Sequence, residues 1–198
     1  MEVATVPGPK SVFRRKFKDV RRQFAQNGGA LAASELKQNL NRLLQDFSGV
    51  QRGLYRALPD EAPCLVDAPQ DFFYPVICGT DLEFRQPRDR TAFHRNHLSI
   101  EEPVPGKSTL LDLALPAVIF CPALAVDGQG NRLGMGQGFY DRFFAKHPDI
   151  LRVGVVFHVQ FSADPLPAES WDQAMDWIVS EKMILRTSPL SRSPQSWI

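Results

Sequence analysis

Residues 111–144 read LDLALPAVIFCPALAVDGQGNRLGMGQGFYDRFF and contain the most informative pattern in the chain. Its first part, Leu111 to Ala125, is almost entirely apolar and suits a strand buried on both faces of a sheet. A glycine-rich turn follows from Asp127 to Gly138, and a helix is expected to begin near Phe139. A buried strand, a glycine turn and a helix in this order indicate one unit of an α/β layer structure.

Two helices are predicted before this stretch. The first runs from Lys10 to Gln26 and is stopped by Asn27-Gly28-Gly29. Ser34 is a candidate N-cap for the second helix. That helix carries an apolar stripe at helical spacing, formed by Leu36, Leu40, Leu43, Leu44 and Phe47.

The remaining segments predict strands. Gly53 to Leu58 is a short strand candidate, and the proline-rich middle from Ala62 to Pro105 indicates strands with loops. Leu151 to Phe157 and Trp177 to Val179 are further strands. We therefore predict an α/β fold with a mixed or largely parallel sheet flanked by helices on both faces. The domain is expected to span residues 1–182, and residues 183–198, with four serines and two prolines, to form a loose tail.

Composition narrows the class of protein. With 43% hydrophobic and 23% charged residues, the 198-residue chain has the composition of a soluble globular protein. A net charge of +1 argues against a general polyanion binder, and no apolar run approaches the roughly 20 residues of a membrane span. The three cysteines are odd in number and lack metal-ligand spacing, which fits a reducing cytoplasm.

The glycine-rich turn predicts an anion site. Gly134, Gly136 and Gly138 alternate, so backbone N–H groups there can approach a phosphate without a Cβ in the way. The helix that follows adds free N–H donors and a favourable dipole. Arg132 could bind phosphate oxygens, and Asp141 could hold a counter-cation. The spacing matches neither a dinucleotide fingerprint nor a Walker loop, and by itself it leaves a ligand-free glycine hairpin open.

The residue identities in this segment are more specific than the spacing of its glycines. Residues 131–142 read NRLGMGQGFYDR, which resembles the NRLGxGxGYYD signature of the 5-formyltetrahydrofolate cyclo-ligase family. The resemblance implies that the loop holds the phosphates of ATP and contacts a folate, with Asp141 on Mg²⁺. The ATP-binding residues implied in the loop are Arg132, Leu133, Gly134, Met135, Gly136, Gln137, Gly138, Phe139 and Tyr140.

The first helix agrees with the same family, which carries a lysine and an arginine four residues apart directed at ATP phosphates. Lys10 and Arg14 have this spacing and lie on one helical face. The helix as a whole is basic, so a nucleic-acid surface or a merely solvated basic face remains open on local grounds.

Two carboxylates complete the implied site. Glu61 matches a family glutamate near the formyl end of the folate, and Asp176 matches a second aspartate at the metal. Taken alone, Glu61 could belong to a polar turn, and an aspartate before a strand is usually a cap. The aromatic rings of Phe139 and Tyr140 are expected to contact the pterin.

The chain also departs from the family pattern. Trp171 replaces a usual histidine, Phe139 replaces the first of two tyrosines, and residues 61–74 look too short for a helix that the family places there. These departures leave open a diverged nucleotide-binding homologue with another substrate or a regulatory role.

The activity implied by the resemblance is ATP- and Mg²⁺-dependent conversion of 5-formyltetrahydrofolate to 5,10-methenyltetrahydrofolate. ATP would phosphorylate the formyl oxygen, N10 would attack the activated carbon, and phosphate would leave. We expect a cytoplasmic monomer that acts on a small folate, without nucleic-acid or membrane partners.

Overall fold

Two consecutive helices begin the structure, a computed structural model that describes residues 9–64 and 69–187. α1 spans Pro9–Asn27 and α2 spans Gly29–Asp46. The predicted end of α1 is confirmed. Gly28 is the N-cap of α2, so the prediction that Ser34 caps this helix is wrong. Residues 30–33 read ALAA, and the strong helix propensity of alanine and leucine extends the helix toward its N-terminus.

The later elements are mostly strands. The third helix, α3, spans Phe139–Lys146. The strands are β1 (Gln51–Gly53), β2 (Tyr74–Cys78), β3 (Asp81–Pro87), β4 (Phe93–Arg95), β5 (Glu101–Pro103), β6 (Ser108–Leu110), β7 (Ala117–Pro122), β8 (Ala125–Asp127), β9 (Arg132–Leu133), β10 (Leu151–Val155), β11 (Phe161–Ser162), β12 (Trp177–Val179) and β13 (Ile184–Arg186).

The central sheet has the strand order β1-β7-β10-β12-β13. Its first four strands are parallel, and β13 pairs antiparallel with β12 at the edge. The predicted fold class is thus confirmed. Because β13 lies within residues 183–198, the prediction that this whole segment is a loose tail is wrong. Residues 188–198 of that segment, like residues 1–8, lie outside the described part of the chain.

Several predicted strands are shorter in the structure or shifted. Of the candidate from Gly53 to Leu58, only Gly53 belongs to β1. The apolar run from Leu111 to Ala125 contains β7 and the first residue of β8. Before β7, the side chain of Gln51 pairs with both the N–H and the C=O of Asp112, which holds a turn where a strand was expected.

Alternate residues of the sheet pack into two separate cores. On one face, Val118 and Phe120 pack with Leu36, Leu40 and Leu43 of α2. On the other face, the apolar residues Ile119, Cys121 and Ile178 pack with Phe143 and Phe144 of α3 and with Phe84 of β3. The period of two along β7 produces this division, so helices cover both faces as predicted.

Three smaller sheets complete the structure. β2, β3 and β6 form an antiparallel sheet, β4 and β5 form a hairpin, and β8 lies between β9 and β11. In the turn between β8 and β9, the buried carboxylate of Asp127 accepts hydrogen bonds from the N–H groups of Gln129, Asn131 and Leu166. This network fixes the hairpin from which the glycine-rich loop continues. None of the helices described here has the length and apolar character needed to cross a membrane.

Candidate active site

A cavity of about 750 Å³ opens where β7 ends. Pro122, Ala123 and Leu124 form part of its wall, and α1, the glycine-rich loop and the start of α3 surround them. The buried amide of Gln160 donates to the carbonyls of Ala123 and Leu124 and fixes this part of the wall. Open α/β sheets bind their ligands at the carboxyl ends of strands, so this cavity is the candidate site.

The glycine-rich loop lines the cavity from Gly134 to Gly138, as the sequence predicted. Gly136 and Gly138 have φ values of 102° and 66°, in the left-handed region that side chains with a Cβ rarely adopt. Gly138 is also the N-cap of α3. The free N–H groups of the first turn of α3 therefore lie beside the loop.

One face of α1 contributes basic side chains to the same cavity. Lys10, Arg14 and Arg21 all line it. Arg14 Nε donates to the carbonyl of Gly134 at 3.1 Å, which ties the helix to the glycine-rich loop. The remaining basic residues of the helix include Lys18 and Arg22, which are exposed.

Lys10 is held by two acidic residues that also line the cavity. Its ammonium group pairs with Glu169 at 2.6 Å and with Asp172, and its side chain is only 12% exposed. Lys10 is therefore held in the cavity wall and does not extend into solvent. Burial alone would lower the pKa of Lys10, but the hydrogen bonds and charges of Asp172 and Glu169 outweigh it and raise the pKa.

Glu61 lines the cavity and is paired with Arg21 of α1. The Arg21 guanidinium is 2% exposed; its Nη1 lies 3.3 Å from Glu61 Oε1, and its Nη2 lies 3.0 Å from Asp60 Oδ2. Glu61 Oε2 accepts a hydrogen bond from the N–H of Leu58. Burial raises the pKa of Glu61, while this N–H and the charge of Arg21 act in the opposite direction. Arg21 is thus a buried part of the site, although the sequence showed it only as one of several basic residues.

Asp141 and Arg132 form an ion pair in the cavity wall. Arg132 Nη2 lies 2.9 Å from Asp141 Oδ2, and the Arg132 side chain is 4% exposed. Asp141 Oδ1 accepts from the N–H of Gln173 at 3.3 Å. The Arg132 guanidinium lies over the ring of Tyr140, 5.5 Å from its centroid, and burial raises the pKa of Tyr140 well above its ordinary value. Tyr140 therefore stays a neutral phenol in the cavity.

Asp176 has a different environment. It is 2% exposed and precedes β12, and its Oδ2 accepts from the backbone N–H of Arg152 at 3.0 Å. Asp141 lines the cavity, whereas Asp176 is absent from the lining formed by the described residues. In the segment between them, Asp172 is the aspartate that lines the cavity. The shared metal site of Asp141 and Asp176 remains a prediction.

The β2–β3 strands and the β4–β5 hairpin add a mostly apolar wall. It consists of Pro75, Ile77, Leu82, Leu98 and Ile100, together with the carboxylate of Glu102. Phe139 and Tyr140 also line the cavity, and their contact with a pterin remains a prediction. Trp171, in place of the family histidine, lines it too and is 65% exposed. Between Glu61 and Tyr74, a single 3₁₀ turn at Pro69–Asp71 is described, and residues 65–68 lie outside the described part.

Comparison with known proteins decides the family. Residues 8–181 match the model of the 5-formyltetrahydrofolate cyclo-ligase family. The chain belongs to this family. A 5-formyltetrahydrofolate cyclo-ligase of Haemophilus influenzae is 37% identical over 84 residues, which cover 41% of this chain and 44% of that protein. One from Escherichia coli K12 is 35% identical over 113 residues, covering 56% of this chain and 61% of that protein.

A solved cyclo-ligase fold aligns over more of the chain. The NMR structure of Aquifex aeolicus 5,10-methenyltetrahydrofolate synthetase has a TM-score of 0.74 and 25% identity, and the alignment covers 91% of this chain and 93% of that one. A second such synthetase, from Mycoplasma pneumoniae, has a TM-score of 0.66 at 16% identity and supports the fold alone. The cyclo-ligase fold therefore extends through nearly the whole chain, whereas the alignments to the two curated relatives span 44% and 61% of their lengths.

Sequence reasoning missed several charged residues of the cavity, among them Arg21, Asp172 and Glu169. Arg21 could have been found from its position, because residues 10, 14, 17 and 21 share one helical face and Phe17 is apolar. Asp172 lies directly after the anomalous Trp171, but a single aspartate in a loop gives no signal of its own. Glu169 likewise has no local signature, and only its pairing with Lys10 reveals it.

Proposed function

We propose that this chain converts 5-formyltetrahydrofolate to 5,10-methenyltetrahydrofolate, with ATP giving ADP and phosphate. One observation carries the proposal. In a member of the cyclo-ligase family, the basic face of α1, the glycine-rich loop and Glu61 line one cavity that also has an apolar wall. A site for phosphates beside a site for a flat organic ring is what this two-substrate reaction requires.

The phosphate end of the cavity would be formed by Lys10, Arg14, Arg132 and the N–H groups of the glycine-rich loop. Phosphoryl transfer depends mainly on positioning and on neutralisation of charge. Arg14 is already fixed against the loop through the carbonyl of Gly134. Asp172 and Glu169 would hold the ammonium group of Lys10 in place before ATP arrives. Lys10 would then exchange these carboxylate partners for phosphate oxygens.

The reacting end would be formed around Glu61. The formyl oxygen attacks the γ-phosphorus of ATP and ADP departs, which leaves a phosphorylated iminium carbon between N5 and oxygen. N10 then attacks this carbon and loses its proton. The C–O bond breaks, and its electron pair leaves with inorganic phosphate. A carboxylate at Glu61 would orient the formyl group and stabilise the positive charge that develops at N5, and Arg21 supports the ionised form of that carboxylate.

Magnesium would be held by Asp141 together with phosphate oxygens. No group of three or more potential ligand side chains occurs within residues 9–64 and 69–187, but Mg²⁺ needs only one or two carboxylates besides phosphate and water. Asp141 offers hard oxygen donors in the cavity wall beside the loop, so its chemistry fits the ion. The bound ion would neutralise phosphate charge. Asp176 would have to leave the Arg152 N–H to join it.

We also propose that the protein acts as a cytoplasmic monomer on a small folate, without a nucleic-acid or membrane partner. The distribution of charge on α1 supports the absence of nucleic acid. Lys10, Arg14 and Arg21 of this basic helix line the cavity, and the chain as a whole has a net charge of only +1.

The deciding experiment follows the absorbance of 5,10-methenyltetrahydrofolate when purified protein is mixed with 5-formyltetrahydrofolate. Product should form only when ATP and Mg²⁺ are both present. Binding of ATP without any product would favour a diverged homologue with another substrate, to which Trp171 at the family's histidine position points. Product formed equally fast without ATP would contradict the proposal.

A further inference from the structure

A second carboxylate lies in the apolar wall of the cavity. Glu102 of β5 is 3% exposed and lines the cavity with Ile77 and Ile100. An ionised side chain is rarely buried among apolar residues unless partners compensate for its lost hydration. The proposed mechanism gives Glu102 no role, so its position requires an explanation.

The two oxygens of this carboxylate have different environments. Oε1 accepts from the backbone N–H of Ile77 at 3.0 Å and from Asn96 Nδ2 at 2.7 Å. These bonds tie the β4–β5 hairpin to β2. Oε2 accepts no hydrogen bond from the side chains and backbone of residues 9–64 and 69–187. One oxygen therefore fixes the carboxylate, and the other is available to a ligand.

The surroundings of Glu102 fit a flat heterocycle better than a phosphate. Its neighbours in the lining include Pro75, Ile77, Leu98 and Ile100, which offer apolar contact. Most basic residues of the lining belong to α1 and the glycine-rich loop, elsewhere in the same cavity. Of the other two, Arg56 is paired with Glu101 at 2.6 Å, and Arg142 donates to the carbonyl of Thr80. A negative charge in an apolar wall repels phosphate and attracts a ring that presents N–H donors.

We infer that Glu102 recognises the 2-amino-4-oxopyrimidine edge of the folate ring. That edge presents an exocyclic amino group beside a ring N–H, two donors side by side, and a carboxylate accepts such a pair in the same way as it accepts the fork of an arginine. This inference rests on the proposed function, because it names the group that would select the substrate of that reaction. It assigns Glu102 to binding and specificity, and Glu61 to the reacting end.

The Glu102→Gln variant tests this with little disturbance of the fold. Glutamine keeps one oxygen for the Ile77 N–H and Asn96, but it replaces the other oxygen with a donor. We expect the Kd and KM for 5-formyltetrahydrofolate to rise roughly tenfold to a hundredfold, as for a lost charge-assisted hydrogen bond, while kcat and the Kd for ATP stay within about twofold. Glu83→Gln is the matched control, since Glu83 lies on β3, pairs with Arg85 and is not among the described residues that line this cavity.

A modified ligand sharpens the test. For an analogue of 5-formyltetrahydrofolate with a methyl group in place of the 2-amino group, wild-type protein should lose affinity by a similar factor. The Glu102→Gln variant should lose little more, because the same contact is already gone. Equal Kd values for wild type and variant would overturn the inference, and so would a full additional loss with the analogue.

The inference and the proposed function can fail separately. Wild-type turnover with an unchanged KM in Glu102→Gln would remove the inference and leave the reaction standing. Binding of 5-formyltetrahydrofolate that weakens in Glu102→Gln, without turnover in wild type, would support the recognition and reject the reaction. A wild-type protein that binds no reduced folate would overturn both.

Discussion

Arg21 of α1 and Glu61 lie 3.3 Å apart between Nη1 and Oε1, in the wall of the cavity. The helix that carries Lys10 and Arg14 therefore also holds the carboxylate assigned to the formyl group. Arg21 contacts Glu61 and is not one of the residues assigned to phosphate. A substitution at Arg21 should therefore act on the reacting end without removing a phosphate ligand.

Replacing Arg21 with glutamine should move the acidic limb of the pH–activity profile to higher pH. Burial already raises the pKa of Glu61, and the Arg21 charge partly offsets this effect. Without Arg21 the pKa rises further, so the ionised carboxylate is lost at a higher pH as the solution is acidified. The measurement is kcat/KM for 5-formyltetrahydrofolate against pH.

Arg22→Gln is the control for this prediction, since Arg22 is the next residue of α1 and is exposed. It should leave the profile unchanged. A folded Arg21→Gln variant with the wild-type acidic limb would show that Arg21 does not tune Glu61. Arg21→Lys, which restores the charge, should return the limb most of the way.

Removing Lys10 or Arg14 should weaken ATP binding. Each alanine variant loses a cation that we assign to phosphate, at an expected cost of about tenfold in Kd for ATP. The loss for Lys10→Ala should be the smaller one, because wild-type Lys10 must first leave Asp172 and Glu169. Calorimetric titration with ATP measures both, and Lys18→Ala, on the exposed face of α1, is the control. Unchanged affinity in both variants would show that this face does not bind phosphate.

Asp141→Asn should nearly abolish Mg²⁺-dependent turnover and spare much of the ATP affinity. Losing a charge-neutralising ligand in phosphoryl transfer is expected to cost on the order of a hundredfold or more in rate. Asparagine retains an oxygen for the Gln173 N–H, but it weakens the pair with buried Arg132. Thermal unfolding should therefore accompany the rate measurement across a Mg²⁺ titration.

The control for Asp141 is Asp149→Asn, an exposed position shortly after α3. Normal Mg²⁺-dependent turnover in Asp141→Asn would reject the assignment. A ligand-bound structure decides the role of Asp176 separately. Carboxylates of Asp141 and Asp176 more than about 10 Å apart could not share one ion.

Gly136→Ala should impair the glycine-rich loop through its backbone. At φ 102° an alanine is strained although its Cβ would meet nothing closer than Arg14 Cζ at 3.5 Å. We expect a loss of about 1–3 kcal/mol in the free energy of unfolding or a shifted loop, together with weaker ATP binding. Gly106→Ala, where a Cβ meets no atom within 4 Å, should change neither quantity. Normal ATP affinity in the Gly136→Ala variant would show that the loop amides do not contact phosphate.

Features that depend on local pattern could be predicted from the sequence. The apolar run before the glycine-rich turn predicted the central strand, because burial on both faces requires apolar residues throughout. The alternating glycines predicted the loop, because glycine reaches conformations that other residues rarely adopt. Two of these glycines do have positive φ values in the structure. The i, i+4 spacing of Lys10 and Arg14 placed both on one face of α1, and both line the cavity.

Contacts between residues far apart in the chain could not be predicted, because they depend on how the elements pack. Lys10 and Asp172 are 162 positions apart in the chain, and Arg21 and Asp60 are 39 apart. Neither pair has a local signal, because an ion pair between separate elements depends on how those elements pack. The same reason separates the two aspartates: both match the family pattern, but folding places Asp141 in the cavity wall and Asp176 against the backbone of β10. The spacing of residues along a helix or strand is fixed by its geometry, whereas the meeting of elements is fixed by the burial of their apolar faces.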